Sequence, residues 1–254
     1  MHLDKSVVEK IAQIHNKDYI TEFKRISEFF HIYYIKRLTV NMKISNLLGQ
    51  NCIVLLQTNL YRMKLLCNGY VDGLNKNNPL IAILTLRAIF ETTGTLAMLH
   101  KKYNQYINDK LTYKELDETL RKLYLGIKDK KEISDAPDPI NVMTLIDAVD
   151  YYLKSNYNMR DKKFRLAYDD LSERCHPNSF GYFLGHDVNE NATSVVFSDD
   201  NKVHILDEYD LNFFSTATKL YKEIYINLRQ QIEINEQLPF EELHNFKNHK
   251  KTTP

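Results

Sequence analysis

The stretch that decides the fold is residues 80–100, LIAILTLRAIFETTGTLAMLH, the most apolar part of the chain. Apolar side chains fall on nearly every side of a helix drawn through it, which predicts a helix buried on most of its faces. Arg87 and Glu91 stand in the middle of this helix, four residues apart and therefore on the same face. Because burying either charge alone is costly, we expect the two side chains to pair with each other or with a polar cluster on a neighbouring helix.

The length of this stretch also fits a membrane span, but its two central charges and the lack of flanking anchor residues favour a buried core helix. We therefore expect no membrane association. The chain of 254 residues is 43% hydrophobic and 26% charged, which is ordinary for a globular protein and excludes wholesale disorder. Its 34 basic residues nearly balance its 33 acidic ones, which argues against a histone-like binder while permitting a local basic patch.

Helical spacing continues upstream of the central stretch. Apolar residues recur at steps of three and four over 20–33 and again over about 40–71, which predicts two further helices. Gly73 and the asparagine-rich run that follows it break the pattern. Pro79 then fits the first turn of the central helix, where proline is tolerated.

Downstream, Thr112 and Glu115 predict a capping box at the start of another helix. Asp138 is expected to cap a further helix that Pro139 opens. That helix would bury a stripe made of Val142, Leu145, Val149 and Tyr152. A shorter helix over roughly 161–175 is expected to end at Pro177.

The last part of the chain predicts one long helix and a small β-hairpin. Residues 194–197 and 203–206 flank an Asp-Asp-Asn turn signal, which indicates a hairpin inserted in an otherwise helical chain. The predicted fold class is therefore all-α, a helical bundle with a small hairpin near 194–206. We expect a single domain over 1–254, composed of N-terminal helices 4–71, a core 79–176, the hairpin 194–206, a C-terminal helix 208–236 and a basic tail 247–254.

The cysteines and the N-terminus bear on the compartment. Cys52, Cys67 and Cys175 are odd in number and widely spaced, which argues against a disulfide framework or a structural zinc site. The first 20 residues lack the apolar core of a signal peptide. The richness in Asn, Ile, Lys and Tyr is typical of an AT-rich genome, so we expect a bacterial cytoplasmic protein.

A second polar constellation lies in residues 171–179, LSERCHPNS. Asp169, Ser172 and His176 share one face near a helix end, where a cationic histidine is favoured. His176 is therefore a candidate general acid or base, with Ser172 as its hydrogen-bond partner. The alternative is that His176 and Pro177 only terminate the helix and satisfy its free carbonyl groups.

Arg87 and Glu91 have two interpretations as well. They can form a structural ion pair that fixes helix register, or Arg87 can face a cleft and bind an anion such as phosphate, held in place by Glu91. A metal site is not expected, because the spacing of His176, His186 and the neighbouring aspartates matches no common ligand pattern. No cofactor is expected either, since phosphate-binding glycine loops are missing from a chain with seven glycines.

Tyrosine and basic residues alternate in two upstream segments, which contain Tyr33, Tyr34, Lys36 and Arg37 and then Tyr61, Arg62 and Lys64. Such residues can stack on the bases of RNA and neutralise its phosphates. They are also common at the solvent boundary of helical proteins for packing reasons alone.

Two short motifs, residues 86–92 (LRAIFET) and 171–177 (LSERCHP), resemble a group of bacterial helical proteins of unknown function. In that group an Arg-x3-Glu helix is followed by a Ser-x3-His-Pro helix end, and the resemblance covers roughly residues 51–228. The group in turn resembles the HEPN superfamily of helical bundles, many of which are RNases of toxin–antitoxin and antiviral systems. The resemblance implies a homodimer with a composite cleft in which Arg and His side chains cleave RNA without a metal ion.

The HEPN nucleases carry an Arg, then a polar residue, then a His a few positions on. The nearest local match in this chain, Arg160-Asp161-x3-Arg165, has Arg in place of His.

Three functions are therefore weighed. The first is an RNA-directed enzyme, or a degenerate relative of one, in a bacterial defence or toxin system: a metal-independent endoribonuclease in which Arg87 holds phosphate, Glu91 orients Arg87, and His176 transfers a proton with support from Ser172. The second is a non-catalytic module that dimerises or binds a partner protein. The third is a small-ligand sensor with Arg87 and His176 in a pocket between helices.

Overall fold

The computed structural model describes residues 1–14, 18–38, 47–131, 133–178, 186–188, 194–197 and 208–236. The predicted all-α fold class is confirmed. Within the described residues the chain forms eight helices, α1 (Lys5–Ile14), α2 (Asp18–Tyr33), α3 (Leu47–Asn75), α4 (Pro79–Ile107), α5 (Tyr113–Leu125), α6 (Val142–Tyr157), α7 (Lys163–Cys175) and α8 (Glu208–Glu236), and two short strands, β1 (His186–Val188) and β2 (Val195–Phe197).

Helix α4, which contains the apolar central stretch, is the centre of the bundle. It packs against α3, α5, α6, α7 and α8. Its apolar side chains form much of the core, and Leu86, Ile89 and Phe90 are almost completely buried. Four threonines on α4 avoid unpaired hydroxyl groups because each donates a hydrogen bond to the carbonyl oxygen four residues earlier.

A glycine sets the closest approach between α4 and α6. A Cβ atom added to Gly94 would lie 2.9 Å from the carbonyl carbon and oxygen of Leu145, which is too close for any side chain. The backbone of α6 therefore crosses α4 at the one position of that turn where no side chain intervenes.

Two predicted helix starts are confirmed. Pro79 occupies the first turn of α4, where Asn78 caps the helix by accepting a hydrogen bond from the Ile81 N–H. The capping box at α5 is complete: Thr112 Oγ1 accepts from the Glu115 N–H at 3.3 Å, and Glu115 Oε2 accepts from the Thr112 N–H at 2.8 Å.

The predicted start of α6 at Asp138 and Pro139 is wrong, because α6 begins at Val142 with Asn141 as its cap. Pro139 instead belongs to the preceding connection and lies against Gly126, where an added Cβ would be 2.6 Å from the Pro139 Cα. Asp138 points to solvent and pairs with Lys130. Of the predicted stripe on α6, Val149 and Tyr152 are buried, whereas Val142 and Leu145 are only partly covered.

The predicted hairpin between 194–197 and 203–206 is not seen. The strand Val195–Phe197 pairs antiparallel with His186–Val188, which precedes it in the chain. Residues 203–206 and the basic tail 247–254 lie outside the described residues, as do residues 40–46 of the second predicted helix.

Within the described residues, α4 is the one helix that is long and apolar enough to cross a membrane by length and composition. Of its most apolar window, 56% is buried inside the protein. A core helix of a globular protein meets the same criteria.

Candidate functional site at the α4–α7 interface

The charged pair of α4 lies where α4 meets α7. Arg87 Nε is 3.4 Å from Glu91 Oε1, so the predicted pairing within the helix is confirmed. The two side chains are not fully buried, since 26% of Arg87 and 30% of Glu91 is exposed. The pair is therefore accessible from solvent on one side and enclosed by protein on the other.

Tyr168 of α7 supplies the enclosing side. Its hydroxyl donates a hydrogen bond to Glu91 Oε1 at 2.9 Å and accepts from Arg87 Nη2 at 3.2 Å and Nε at 3.4 Å. Burial lowers the pKa of Arg87, but the hydrogen bond to Tyr168 and the charge of Glu91 outweigh it and raise this pKa above its ordinary value. Burial and the Glu91 charge also raise the pKa of Tyr168, so its hydroxyl stays protonated and remains a donor.

Arg87 also influences the C-terminal end of α7. Burial raises the pKa of the Cys175 thiol, and the nearby positive charge of Arg87 opposes this rise. Cys175 is the last residue of α7, and His176 follows as its C-cap, with its N–H donating to the Glu173 carbonyl at 3.4 Å. Arg87 is thus bonded to α7, the helix that His176 caps, through Tyr168, which lies two turns before the end of that helix.

His176 itself is exposed. In the described part of the chain its side chain makes no hydrogen bond or ion pair with Arg87 or with Ser172, which is partly buried one turn earlier. Asp169, the third residue of the predicted face, is occupied by Arg165, whose Nε lies 3.3 Å from Asp169 Oδ1. Among the described residues, this face therefore contains no preformed Ser–His–Asp relay.

Arg174, which the sequence showed only as a neighbour of His176, forms the strongest ion pair of α7. Its Nη1 and Nη2 atoms donate to the two carboxylate oxygens of Asp210 at 3.1 and 2.7 Å, and Nη2 is also 3.0 Å from Asp170. Only 17% of the Arg174 side chain and 5% of the Asp210 side chain are exposed. Because 36 residues separate Arg174 from Asp210, no local pattern could indicate this link between α7 and α8.

A polar cluster that sequence reasoning missed lies between α4, α6 and α8. His100 is 8% exposed, with its ring 3.1 Å from Asn104 Nδ2 and edge-on to Tyr152. The Tyr152 hydroxyl donates to Glu223 at 2.7 Å and accepts from Asn227 at 2.9 Å. The available signal was a histidine at the end of an apolar helix with an asparagine four residues later.

Burial lowers the pKa of His100 to about 4, more than the charge of Glu223 raises it, so the ring is neutral at neutral pH. A cavity of about 220 Å³ opens beside the ring and is lined by Lys101 and Lys110 as well as His100. His100 is thus part of a polar packing cluster at the edge of a small cavity.

Within the described residues, no group of three or more His, Cys, Asp or Glu side chains could hold a metal ion. The side chain of His186, which was weighed with His176 as a ligand, lies outside the described side chains.

The class of protein defined by this structure is an all-α helical protein with a partly exposed Arg–Glu–Tyr centre between α4 and α7. Comparison of the chain with protein-family models, with curated proteins and with solved structures gives no match.

The two arginines of the α4–α7 region should differ strongly in their effect on stability. We expect Arg174→Ala to lower the free energy of unfolding by about 3–5 kcal/mol, because it leaves the Asp210 carboxylate buried without its partner. We expect Arg87→Ala to lower it by only about 1 kcal/mol, because Glu91 is partly exposed and keeps its bond to Tyr168. Urea denaturation followed by circular dichroism at pH 7 measures both values, and equal losses would contradict the distinction between a structural and a solvent-facing arginine.

His100 should make stability depend on pH. In the unfolded chain His100 binds a proton below its ordinary pKa of 6.5, whereas in the folded protein it does so only near pH 4. Because the unfolded chain then binds more protons, the free energy of unfolding decreases as the pH falls below about 6.5. His100 lowers it by about 2–3 kcal/mol between pH 7 and pH 4.5. In the His100→Gln variant the loss over this interval should be smaller by that amount, whereas the exposed-site control His2→Gln should behave like the wild type. Identical pH profiles for His100→Gln and the wild type would contradict the burial of a neutral His100.

Proposed function

We propose that this protein is an HEPN-like, RNA-directed protein of a bacterial defence or toxin system, and that the α4–α7 interface is a metal-independent ribonuclease centre. The observation that carries the proposal is the hydrogen bonding of the Arg87 guanidinium to Tyr168 of α7, the helix that the exposed His176 caps. It supports a site that combines a cation for phosphate with a group able to transfer a proton.

Arg87 would bind the scissile phosphate. Its bonds to Glu91 and Tyr168 involve Nε and Nη2. Because 26% of the side chain is exposed, the guanidinium can also donate to a phosphate oxygen from its solvent side. Glu91 and Tyr168 act as positioning residues, because they fix the plane of the guanidinium and keep it charged.

His176 would transfer the proton. The imidazole removes the proton of a ribose 2′-hydroxyl while the 2′-oxygen attacks phosphorus, and the 5′-oxygen of the next nucleotide leaves and takes up a proton from water. The products are a 2′,3′-cyclic phosphate and a free 5′-hydroxyl, and no bond change requires a metal ion. Ser172, one turn earlier on α7, would orient the imidazole once substrate is bound.

The test is cleavage of total RNA and of a labelled RNA oligonucleotide, with and without a chelator. We expect the wild type to cleave in the presence of the chelator and to leave 2′,3′-cyclic phosphate ends. His176→Ala should reduce the rate at least about a hundredfold, the scale of a lost general acid or base, with an unchanged thermal melt.

Lys154→Ala is the control, because Lys154 is also exposed and lies on another helix, α6. Its cleavage rate should equal that of the wild type. Cleavage retained in His176→Ala, or abolished by the chelator, would overturn the assignment of the centre.

A second candidate function, a dimerising module, is supported by apolar side chains that face solvent on α3 and α4. Leu65, Leu80, Ile81 and Leu84 are between 41% and 51% exposed. The two helices are close neighbours there, since a Cβ added to Gly69 would lie 3.0 Å from Thr85 Cγ2. We call these four residues the α3–α4 patch and assign to it a second copy of the chain, because a homodimer would also provide the composite cleft of an HEPN-like enzyme.

Light scattering after size-exclusion chromatography tests this dimer. The chain has a mass of 30.0 kDa, and we expect the wild type to elute with twice that mass. Leu65→Glu combined with Leu84→Glu should give the mass of one chain, because charges in an apolar interface are desolvated without partners. Ile234→Glu is the control and should leave the mass unchanged, because Ile234 is 76% exposed and lies on α8, outside the α3–α4 patch. A wild type that is monomeric at tens of micromolar concentration would contradict this use of the patch.

A further inference from the structure

A second polar surface lies away from the α4–α7 interface, where the end of α2 meets the middle of α3. A cavity of about 330 Å³ opens there, within the size range of small-molecule sites. Its walls include Phe30, His31, Tyr34, Lys36, Lys64 and Asn68. We call it the Tyr34 cavity.

The charges of the Tyr34 cavity are of one sign. Lys36, Lys64 and the titratable His31 line it, and none of the described residues that line it is an aspartate or a glutamate. Lysines grouped without a carboxylate are poorly neutralised by the protein itself, so the cavity attracts anions.

Aromatic rings adjoin the cations. The Lys64 Nζ atom lies 4.3 Å from the centroid of the Tyr34 ring, and the Tyr34 ring is stacked on Tyr61 with 5.7 Å between centroids and 19° between planes. Tyr61 is 46% exposed, so much of its ring surface remains in solvent. The combination of an exposed, already oriented aromatic ring and two adjacent ammonium groups suits a ligand that has both a flat base and a phosphate.

The cavity continues along α2. A second cavity of about 330 Å³ shares Ser27 with it and is lined by Lys24 and Ile20. The residues Ile20, Lys24, Ser27 and His31 follow one another on α2 at steps of three and four, and Tyr34 continues the spacing just beyond its end. One face of α2 therefore lines both cavities, and we call the two cavities together the α2 groove. Glu28 is the one carboxylate among the described residues that line the second cavity.

We propose that the groove along α2 and the Tyr34 cavity bind single-stranded RNA, with phosphates on Lys36 and Lys64 and a base stacked on Tyr61. This inference rests on the proposed RNA-directed function and names the form of RNA that the protein holds. Single strands fit because their unstacked bases are free to stack on tyrosine, whereas the paired bases of a duplex are not.

The experiment is fluorescence anisotropy of a labelled 12-nucleotide single-stranded RNA with the full-length protein over a range of salt concentrations. Lys36→Ala combined with Lys64→Ala should weaken binding at least about tenfold. It should also reduce the slope of log K against log salt by about 1.4, the value for two lost phosphate contacts on a single strand. Tyr61→Leu should weaken binding about tenfold with little change in the slope, because stacking is lost and charge is kept.

Lys114→Ala combined with Lys154→Ala is the matched control, since it removes the same charge from exposed positions on α5 and α6. It should bind RNA as the wild type does.

The outcomes distinguish the two proposals. If the wild type binds or cleaves RNA but the Lys36/Lys64 variant has unchanged affinity and slope, the groove is overturned and the proposed function stands. If the wild type neither binds nor cleaves any RNA, both are overturned. If the same lysines are needed for phosphatidylserine vesicles and RNA does not bind, the surface is a membrane contact and the RNA inference fails.

Discussion

The structure depends on one constraint: α4 is apolar on so many sides that it must be surrounded. Five of the other described helices pack against it, and Leu86, Ile89 and Phe90 are almost fully removed from water. Polar groups survive on such a helix only where their hydrogen bonds are satisfied locally, as the threonine hydroxyls show. Gly94 also helps to shield α4 from water, because it lets the backbone of α6 come close to α4.

The burial of α4 also determines which groups Arg87 binds. A guanidinium on the central helix has to be either expelled to solvent or held by partners, and here it is held by Glu91 and by the buried hydroxyl of Tyr168. Tyr168 can serve both charges at once because a hydroxyl donates to a carboxylate and accepts from a guanidinium. The contacts that hold α7 against α4 are therefore the contacts that orient Arg87, so a fixed cation at the surface follows directly from how the core is closed.

Sequence reasoning succeeded where the interacting residues lie close together in the chain, and it failed where they lie far apart. Patterns within one or two turns were sufficient for the helices, for the capping box of Thr112 and for the pairing of Arg87 with Glu91. The start of α6 was missed because proline at a helix start is a general preference, and here Pro139 packs against Gly126 instead. Nothing local could indicate that Asp150 accepts hydrogen bonds from the first N–H groups of α7, or which helix receives Arg174, because both partners are brought together by the bundle.

Net charge alone would not suggest a nucleic-acid surface, since the formal charge of the chain is +1. The way in which the individual charges are paired changes that conclusion. Charges that are paired inside the bundle, such as Asp210 with Arg174, neutralise each other and contribute little field at a distance. Lys36 and Lys64 line a cavity without a facing carboxylate among the described residues, so their charge is left to act outward. A nearly neutral protein can in this way present a locally cationic groove, and local potential rather than total charge governs the encounter with an anionic strand.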